Sequence, residues 1–403
     1  MSASSRRLLF DLTPLGTPSS QRGIGRYIRD LALGLSELAP SVLGGIEIVG
    51  LTSLDWWGNC TTTTDLSTSV VAPRLPLPTE KDHYLWAYRH RIALFRAARR
   101  VAADAVHVCD PHATPLFLRA CGVRRIVTAH DLVPTLFPER YFGWKDGGAL
   151  LGRRIERRRY GSADLVVAIS DATRGDVCRL LGVPEERVTR VYNGVDVGFW
   201  AGPPAIDATS TLRRFDLLGR SFLLYVGGAD WRKNVEGMMR GLVLARARGA
   251  DVELVWAGHL SEEHSRSVRA VVHGCGVEGA VRYLDFVTDD ELRVLYGAAV
   301  AHVIVSRAEG FGLTVVEAMA SGCPVLTTRS GALGEVAGQA ALTVDPEDVE
   351  GIGDRMRRLA QEPGLRKELR EKGNERAPRF SRDAQAHAMA AVYRRFFRSE
   401  GWG

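Results

Sequence analysis

The amino-acid sequence predicts an α/β protein built from two doubly wound, Rossmann-like domains of similar size. The chain has 403 residues, which at roughly 100–200 residues per domain favours two domains. Short apolar runs alternate with longer helical patterns from end to end, as in parallel sheets covered by helices on both faces. The segment Asn193–Ser221 interrupts this alternation with glycine, proline and small polar residues, and we predict that it is the linker and hinge.

Each predicted element follows from its hydrophobic period. In the first half we predict strands at Leu8–Leu12, Ile46–Leu51, Ala105–Val108, Arg125–Ala129, Leu165–Ile169 and Val188–Val191, with helices at Ile24–Glu37, Trp86–Ala102, Gly147–Gly161 and Asp171–Leu181. In the second half we predict strands at Phe222–Val226, Val252–Ala257, Val281–Leu284, Ala301–Ser306, Val325–Thr328 and Ala341–Val344. The helices of that half are predicted at Val235–Arg248, Ser261–Gly274, Asp289–Tyr296, Leu313–Ser321, Glu347–Ala360, Gly364–Lys372 and Arg382–Phe397. The predicted domains cover residues 1–198 and 199–380, followed by a terminal helix within 381–403.

Composition and charge exclude several classes of protein. Hydrophobic residues make up 45% and charged residues 25% of the chain, which excludes wholesale disorder, collagen and a disulfide-rich miniprotein. Residues 1–200 hold 26 basic and 20 acidic side chains and residues 201–403 hold 27 of each, so the net charge of +6 lies in the first half. The six cysteines lack CxxC spacing, which predicts reduced thiols in a cytoplasmic protein. No segment reaches the ~18 apolar residues of a membrane span, so we expect a soluble protein, at most peripheral to a membrane.

A glycine-containing loop follows the first predicted strand and opens a helix. Gly23 and Gly25 allow a close approach of the backbone to a ligand, and the first N–H groups of the helix favour an anion. A dinucleotide fingerprint would need Gly or Ala where Ile28 stands, and an acidic residue about 20 positions further on. An NAD(P) site and a tight turn that merely needs glycine stay open as alternatives. The sequence has no GxxxxGK[ST] loop, GxSxG elbow, HExxH motif or Asp-x-Asp pair.

Polar side chains follow two further predicted strands. His130-Asp131 comes directly after Arg125–Ala129, and Arg232-Lys233 comes after Phe222–Val226 and a Gly227-Gly228 turn. Ligands in doubly wound folds bind at the carboxyl ends of strands, so we predict that His130 is a catalytic or binding group. Positive charge is unfavourable at a helix start, and two adjacent cations there suit a diphosphate. The alternatives are a loop histidine bonded to the backbone and a solvated helix start.

The segment from Glu309 to Glu317 places two carboxylates on either side of a glycine turn. Glu309 ends a predicted strand, Gly310 and Gly312 allow a tight turn, and Glu317 falls in the first turns of the next helix. A carboxylate accepts hydrogen bonds from the hydroxyls of a sugar or a ribose. The segment therefore predicts a site for a hydroxyl-rich ligand. The alternative is two ordinary glutamates beside a glycine turn.

These motifs, in this order, resemble those of retaining glycosyltransferases of family 4, which have the GT-B fold. The resemblance covers nearly the whole chain. Its parts are the glycine loop at residues 23–27, His130-Asp131, Ser170, the turn at residues 193–196, Arg232-Lys233-Asn234, and Glu309 to Glu317 as a Glu-x7-Glu motif. It implies two Rossmann-like domains facing each other across a cleft, the first on the acceptor side and the second binding a nucleotide sugar. It also implies that the last helix crosses back to the first domain.

The resemblance implies roles for individual residues. Glu317 would bind the donor ribose, Glu309 the sugar hydroxyls, and His130 the donor sugar, while Arg232 and Lys233 would neutralise the diphosphate leaving group in place of a metal ion. We therefore predict His130, Glu309, Arg232 and Lys233 as catalytic residues, with no cofactor and no metal site. The donor-binding set implied by the resemblance is Gly23, Gly25, Gly228, Arg232, Lys233, Glu309, Gly310, Phe311, Gly312, Leu313 and Glu317.

One position departs from the family pattern and bears on the donor. Many members carry an arginine directly after the first glycine of the turn, where this chain has Gly228. The Arg-Lys-Asn variant at residues 232–234 occurs in relatives that resemble mannosyltransferases of polysaccharide assembly. The resemblance implies that Arg232 replaces the arginine that is absent at position 228. The sequences of residues 23–27 and 130–134 also resemble those of mannosyltransferases. The resemblance thus implies GDP-mannose as the first choice of donor and a UDP-hexose as the second.

The resemblance implies a retaining transfer of a hexose to a hydroxyl acceptor, which forms an α-glycosidic bond. We expect a small-molecule, lipid-linked or saccharide acceptor and no nucleic-acid partner. The basic first domain suggests peripheral contact with the inner face of a membrane. Two alternatives stay open: an NAD(P)-dependent oxidoreductase using the N-terminal domain, and a non-catalytic sugar-nucleotide-binding protein.

Overall fold

The computed structural model describes residues 6–16, 20, 23–54, 60–67, 94, 96–110, 123–141 and 148–398. The chain forms two compact units, one of residues 1–194 with 381–403 and one of residues 195–380. The boundary predicted from the sequence lies between residues 198 and 199, whereas the structure divides the chain after Gly194.

The first unit is built on a mostly parallel sheet. Its strands are β1 (Arg6–Asp11), β2 (Ile46–Leu54), β3 (Cys60–Thr63), β4 (Ala105–Val108), β5 (Arg124–Ala129), β6 (Leu165–Ala168) and β7 (Val188–Arg190). They lie in the order β3-β2-β1-β4-β5-β6-β7, and β3 runs antiparallel to β2. The helices of this part are α1 (Gly23–Glu37), α2 (Pro40–Leu43), α3 (Val133–Leu136), α4 (Pro138–Tyr141), α5 (Gly148–Gly161) and α6 (Asp171–Leu181).

The second unit repeats the design with six strands, which all pair in parallel. The strands are β8 (Phe222–Val226), β9 (Glu253–Ala257), β10 (Val281–Tyr283), β11 (Ala301–Ile304), β12 (Val325–Thr328) and β13 (Leu342–Val344), in the order β10-β9-β8-β11-β12-β13. The helices are α7 (Val197–Ala201), α8 (Ala208–Arg214), α9 (Val235–Ala247), α10 (Glu262–Gly274), α11 (Asp289–Ala298), α12 (Leu313–Ala320), α13 (Gly331–Ala337), α14 (Val349–Gln361) and α15 (Pro363–Arg376). The order changes direction between β8 and β11, and the crevice beyond their carboxyl ends is the usual ligand site of such sheets.

The last helix, α16 (Arg382–Arg398), belongs to the first unit. Arg382 pairs with Asp30 of α1 at 3.3 Å, and the Tyr393 hydroxyl hydrogen-bonds the buried His107 of β4 at 2.6 Å. The chain therefore returns to its first sheet after completing the second.

The strands form because both faces of each sheet are covered. Every residue of β4, β6, β11 and β12 is buried, which explains why these strands are mostly apolar and do not alternate between apolar and polar residues. The core of the second unit packs Tyr225, Met238, Trp256 and Leu326 around its sheet.

All predicted strands are present, as are the helices predicted within the described residues. The predicted helix Trp86–Ala102 lies largely outside the described residues, although residues 96–100 are helical. The antiparallel strand β3 and the short helices α2, α3, α4, α7, α8 and α13 were not predicted.

The prediction that Asn193–Ser221 is a linker is wrong, because most of this segment is folded onto the second unit. It contains α7 and α8, whose N-caps are Asp196 and Asp207. Trp200 is buried, and the guanidinium of Arg293 lies 4.2 Å from the Phe199 ring centroid. The glycines and prolines separate two capped helical turns rather than making a flexible connection.

Candidate active site

The second unit brings Arg232, Lys233 and Glu309 together at the switch point of its sheet. Arg232 and Lys233 follow β8, and Glu309 follows β11, the neighbouring strand. Lys233 Nζ lies 2.5 Å from Glu309 Oε1, and Arg232 Nη1 lies 2.6 Å from Glu309 Oε2. The Ser306 hydroxyl also donates to Oε1, at 2.9 Å. We call Arg232, Lys233 and Glu309 the charged triad.

The triad is largely shielded from solvent, and its charges fix the ionisation of the carboxyl group. The Glu309 side chain is 10% exposed, compared with 15% for Lys233 and 23% for Arg232. Burial of the carboxylate raises its pKa, but the positive charges of Lys233 and Arg232 outweigh that effect and hold the pKa at about 2. Two cations and one carboxylate give the triad a net charge of +1 at neutral pH, and the half-exposed Asp230, whose Oδ1 lies 3.5 Å from Arg232 Nε, offsets part of it.

The local sequence fixes the backbone that carries the two cations. Asp230 Oδ1 accepts from Arg232 N at 3.0 Å, and Arg232 O accepts from Arg307 N at 2.7 Å. Asn234 is fully buried in a left-handed conformation, with φ of 55°. Its amide donates to the carbonyls of Val305 and Pro346 at 3.2 and 2.6 Å. The Arg-Lys-Asn segment is therefore bound to the loop after β11 on both sides.

The glycine turn between the two glutamates has a steric reason. Gly312 has φ of 105°, and a Cβ there would lie 2.6 Å from the Leu333 side chain. It precedes Leu313, the first residue of α12, while the buried Phe311 ring packs edge-on against Phe380 with centroids 5.7 Å apart. Gly310 lies between Glu309 and this turn.

Glu317 lies in the second turn of α12 and is 1% exposed. Glu317 therefore lies on the helix that the sequence predicts after the glycine turn. Its contact with a donor ribose stays a prediction. Gly228 is exposed and is the second residue after β8.

His130 belongs to the first unit, at the carboxyl end of β5. Its Nε2 lies 2.7 Å from the Cys109 carbonyl oxygen, and because a carbonyl only accepts, Nε2 carries the proton. The Tyr27 ring packs edge-on against the imidazole at a centroid distance of 4.9 Å. Asp131 Oδ1 accepts from Val133 N at the start of α3, so this acid shapes the backbone beside His130.

Gly23 and Gly25 open α1, and Gly25 is needed by the protein's own packing. A Cβ on Gly25 would lie 2.3 Å from the Ser20 carbonyl oxygen. Residues 17–19, 21 and 22 of the predicted glycine loop lie outside the described residues. The expected approach of this loop to a diphosphate stays a prediction.

Several polar residues that support these groups were not predicted from the sequence. Ser306, two residues after β11, could have been found by the strand-end rule that found Glu309. The buried chain that runs from Tyr393 through His107 and Thr128 to Tyr27 could not, because its members come from four distant elements.

In the part of the chain that the structure describes, no three His, Cys, Asp or Glu side chains are grouped so that they could hold a metal ion. No helix of the described residues has the length and apolar character needed to cross a membrane.

Two family models match the chain. The model described as Glycosyltransferase Family 4 matches residues 21–199, and the model described as Glycosyl transferases group 1 matches residues 214–376. The chain is 29% identical over 271 residues to O-antigen chain mannosyltransferase B of Escherichia coli, covering 64% of this chain and 67% of that protein. It is 24% identical over 417 residues to the serotype-specific mannosyltransferase WbdA of Escherichia coli, covering 97% of this chain and 48% of WbdA. The chain thus spans two thirds of the first relative and about half of the second.

Solved structures with the same fold match nearly the whole chain. Sucrose-phosphate synthase from Thermosynechococcus elongatus has a TM-score of 0.75 and 20% identity, covering 98% of this chain and 100% of that chain. The Anabaena protein HepE, in a complex with UDP and glucose, has a TM-score of 0.70 and 17% identity, covering 97% of this chain and 100% of that chain.

Two doubly wound α/β units, matched over nearly their full length by these structures, define the GT-B fold. The chain belongs to the glycosyltransferases of family 4, with a group 1 domain as its second half. The predicted family resemblance and fold class are therefore confirmed. Both matched models describe glycosyltransferases, so the family favours glycosyl transfer over the oxidoreductase alternative.

Proposed function

We propose that this protein transfers a hexose from a nucleoside diphosphate sugar to a hydroxyl acceptor, with retention of configuration and without a metal ion. The charged triad at the switch point of the second unit carries this proposal. Its net positive charge lies where a doubly wound sheet binds its ligand. A diphosphate that leaves during the reaction gains negative charge, and fixed cations in a shielded site stabilise that charge.

The state of the Glu309 carboxylate supports retention. It is held by two cations at a pKa of about 2, which makes it a weak base. Such a carboxylate is not suited to remove a proton from an acceptor attacking the face opposite the leaving group, whereas stabilisation of a departing diphosphate needs no such base.

We propose GDP-mannose as the first donor and a UDP-hexose as the second. Relatives named mannosyltransferases support the first choice, and the fold shared with a protein solved with UDP and glucose supports the second.

A thermal-shift titration tests the proposal. Purified protein with EDTA is titrated with GDP, UDP, GDP-mannose, UDP-glucose and NAD. A ligand that binds the native state raises the melting temperature by mass action. We expect one nucleoside diphosphate and its sugar to raise it, and proton NMR of the product then gives the anomeric configuration. A shift with NAD alone, or with no nucleotide, would refute the proposed function.

The acceptor is proposed to be a small molecule, a saccharide or a lipid-linked saccharide, reached by a cytoplasmic enzyme in peripheral contact with a membrane. Exposed arginines on α5 support that contact: Arg153, Arg154, Arg157 and Arg158. Leu150 on the same helix is 84% exposed. Arginines beside an apolar side chain suit an anionic lipid surface. Co-sedimentation with phosphatidylglycerol vesicles but not with phosphatidylcholine vesicles is the expected result.

A further inference from the structure

We propose that Tyr225 and Trp256 are positioning residues, which hold the turn after β8 so that the peptide N–H groups of Gly228 and Ala229 bind the diphosphate of the donor. This inference rests on the proposed function. It assigns the binding role to backbone amides of the Gly227–Ala229 segment, called here the amide turn.

Both carbonyl groups of the amide turn are tied to buried side chains. The Tyr225 hydroxyl donates to the Gly228 carbonyl oxygen at 2.6 Å, and Trp256 Nε1 donates to the Gly227 carbonyl oxygen at 3.0 Å. The two rings are fully buried and contact each other, with centroids 4.5 Å apart. The carbonyls of Gly227 and Gly228 therefore point toward one aromatic pair beneath the turn.

The direction of the carbonyls determines the direction of the next amides. The described peptide bonds are all trans, and in a trans peptide the N–H group points opposite to the carbonyl. The N–H groups of Gly228 and Ala229 therefore point away from the aromatic pair, to the exposed side of the turn. In the described part of the chain, neither of these amides donates to a protein acceptor. Successive backbone N–H groups that face one side form a concave anion site.

The space in front of the amide turn is open. Gly228 is exposed, and a Cβ built on it would meet no atom within 4 Å. Its φ is not in the left-handed region, so the fold itself does not require glycine there. A glycine at this position leaves the backbone N–H groups accessible to a ligand.

The amide turn is part of the same site as the charged triad. It ends three positions before Arg232, and Asp230 links the two by accepting a hydrogen bond from Arg232 N. Burial and the charge of Glu309 raise the pKa of Tyr225 strongly, while Arg232 lowers it. The Tyr225 hydroxyl thus keeps its proton and stays a donor to the Gly228 carbonyl. Two amide donors and two cations would then contact one diphosphate.

The test is the Tyr225→Phe variant of the full chain, which removes one hydroxyl and keeps the ring in the core. Tyr283→Phe is the matched control, because Tyr283 lies in the same sheet and its hydroxyl has no hydrogen-bond partner in the described part of the chain. Calorimetry measures the dissociation constants of guanosine, GMP and GDP, and of uridine, UMP and UDP. A purely structural role would weaken all members of a series alike.

For the series that the wild type binds, we expect Tyr225→Phe to weaken the diphosphate about fivefold and leave the nucleoside unchanged. Tyr283→Phe should match the wild type. Trp256→Phe, which removes the hydrogen bond to the Gly227 carbonyl, should also weaken the diphosphate and leave the nucleoside unchanged. This variant replaces Tyr225→Phe as the test if Tyr225→Phe fails to fold. Wild-type affinity for the diphosphate in a folded variant, or an equal loss for the nucleoside, would overturn this inference. A wild type that binds no nucleoside diphosphate would overturn the proposed function itself, and this inference with it.

Discussion

Replacing Glu309 with glutamine should destabilise the protein by an amount that depends on pH. The carboxylate is 10% exposed and is bound by Lys233, Arg232 and Ser306. Its pKa falls from 4.5 to about 2 on folding. At about 1.4 kcal/mol per pKa unit, this shift corresponds to roughly 3 kcal/mol of stability at neutral pH.

The sign of the pH dependence follows from the direction of the shift. Because the folded pKa lies below the unfolded one, the stabilisation is fully present above pH 4.5 and is lost as the pH falls toward 2. Glu309→Gln cannot ionise, so it lacks this contribution at every pH. The difference in unfolding free energy between the wild type and Glu309→Gln should thus be about 3 kcal/mol at pH 7 and shrink below pH 4.5.

Urea unfolding followed by tryptophan fluorescence, at several pH values between 7 and 3, measures this difference. Glu350→Gln is the matched control, because Glu350 pairs with Arg248 at the surface of the same unit and is 68% exposed. An exposed pair of this kind contributes at most about 1 kcal/mol. If Glu309→Gln is as stable as Glu350→Gln at pH 7, or if the difference does not change with pH, the argument from the triad is refuted.

Four further predictions concern single groups. Glu309→Gln should bind nucleoside diphosphate more tightly than the wild type, because the two cations lose their counter-ion, and it should also lose transfer activity. Weaker binding by calorimetry would contradict this. Lys233→Met should weaken that binding roughly tenfold or more, and an unchanged dissociation constant would remove Lys233 from the phosphate site. Tyr393→Phe should lower the free energy of unfolding, measured in urea, by about 1–3 kcal/mol, because it leaves the buried His107 without its 2.6 Å partner. A decrease no larger than that of Tyr283→Phe would contradict this. Gly25→Ala should lower the melting temperature and the transfer rate, since its Cβ would lie 2.3 Å from the Ser20 carbonyl oxygen, whereas Gly175→Ala, which has open space, should not.

The fold was predictable because its determinants are local. The buried strand β6 is a continuous apolar run, β11 is apolar except for His302, and the helices between the strands keep a period near 3.6 residues. Arg232, Lys233 and Glu309 were predictable for a related reason. Each follows a recognisable strand, and the parallel arrangement places the ends of neighbouring strands at one edge.

The errors have physical causes that can be traced to particular residues. Asn193–Ser221 contains many glycines and prolines, but Asp196 and Asp207 cap short helices there, at 2.9 Å to Phe199 N and 2.7 Å to Ser210 N. Glycine content alone therefore overstated its flexibility. The bond between His107 and Tyr393 joins residues 286 positions apart, and no pattern within either element indicates it.

The charged triad explains how the proposed diphosphate site can persist without its ligand. Two cations that are 15 and 23% exposed would repel each other and lose hydration if nothing neutralised them. Glu309 supplies that charge from the neighbouring strand end, so the cations are already placed for the proposed diphosphate ligand. The same carboxylate cannot be removed without changing both the stability of the unit and the charge that the proposed ligand would meet. A loss of activity in Glu309 variants therefore becomes evidence for a role in the reaction only when folding and nucleotide affinity are measured on the same variant.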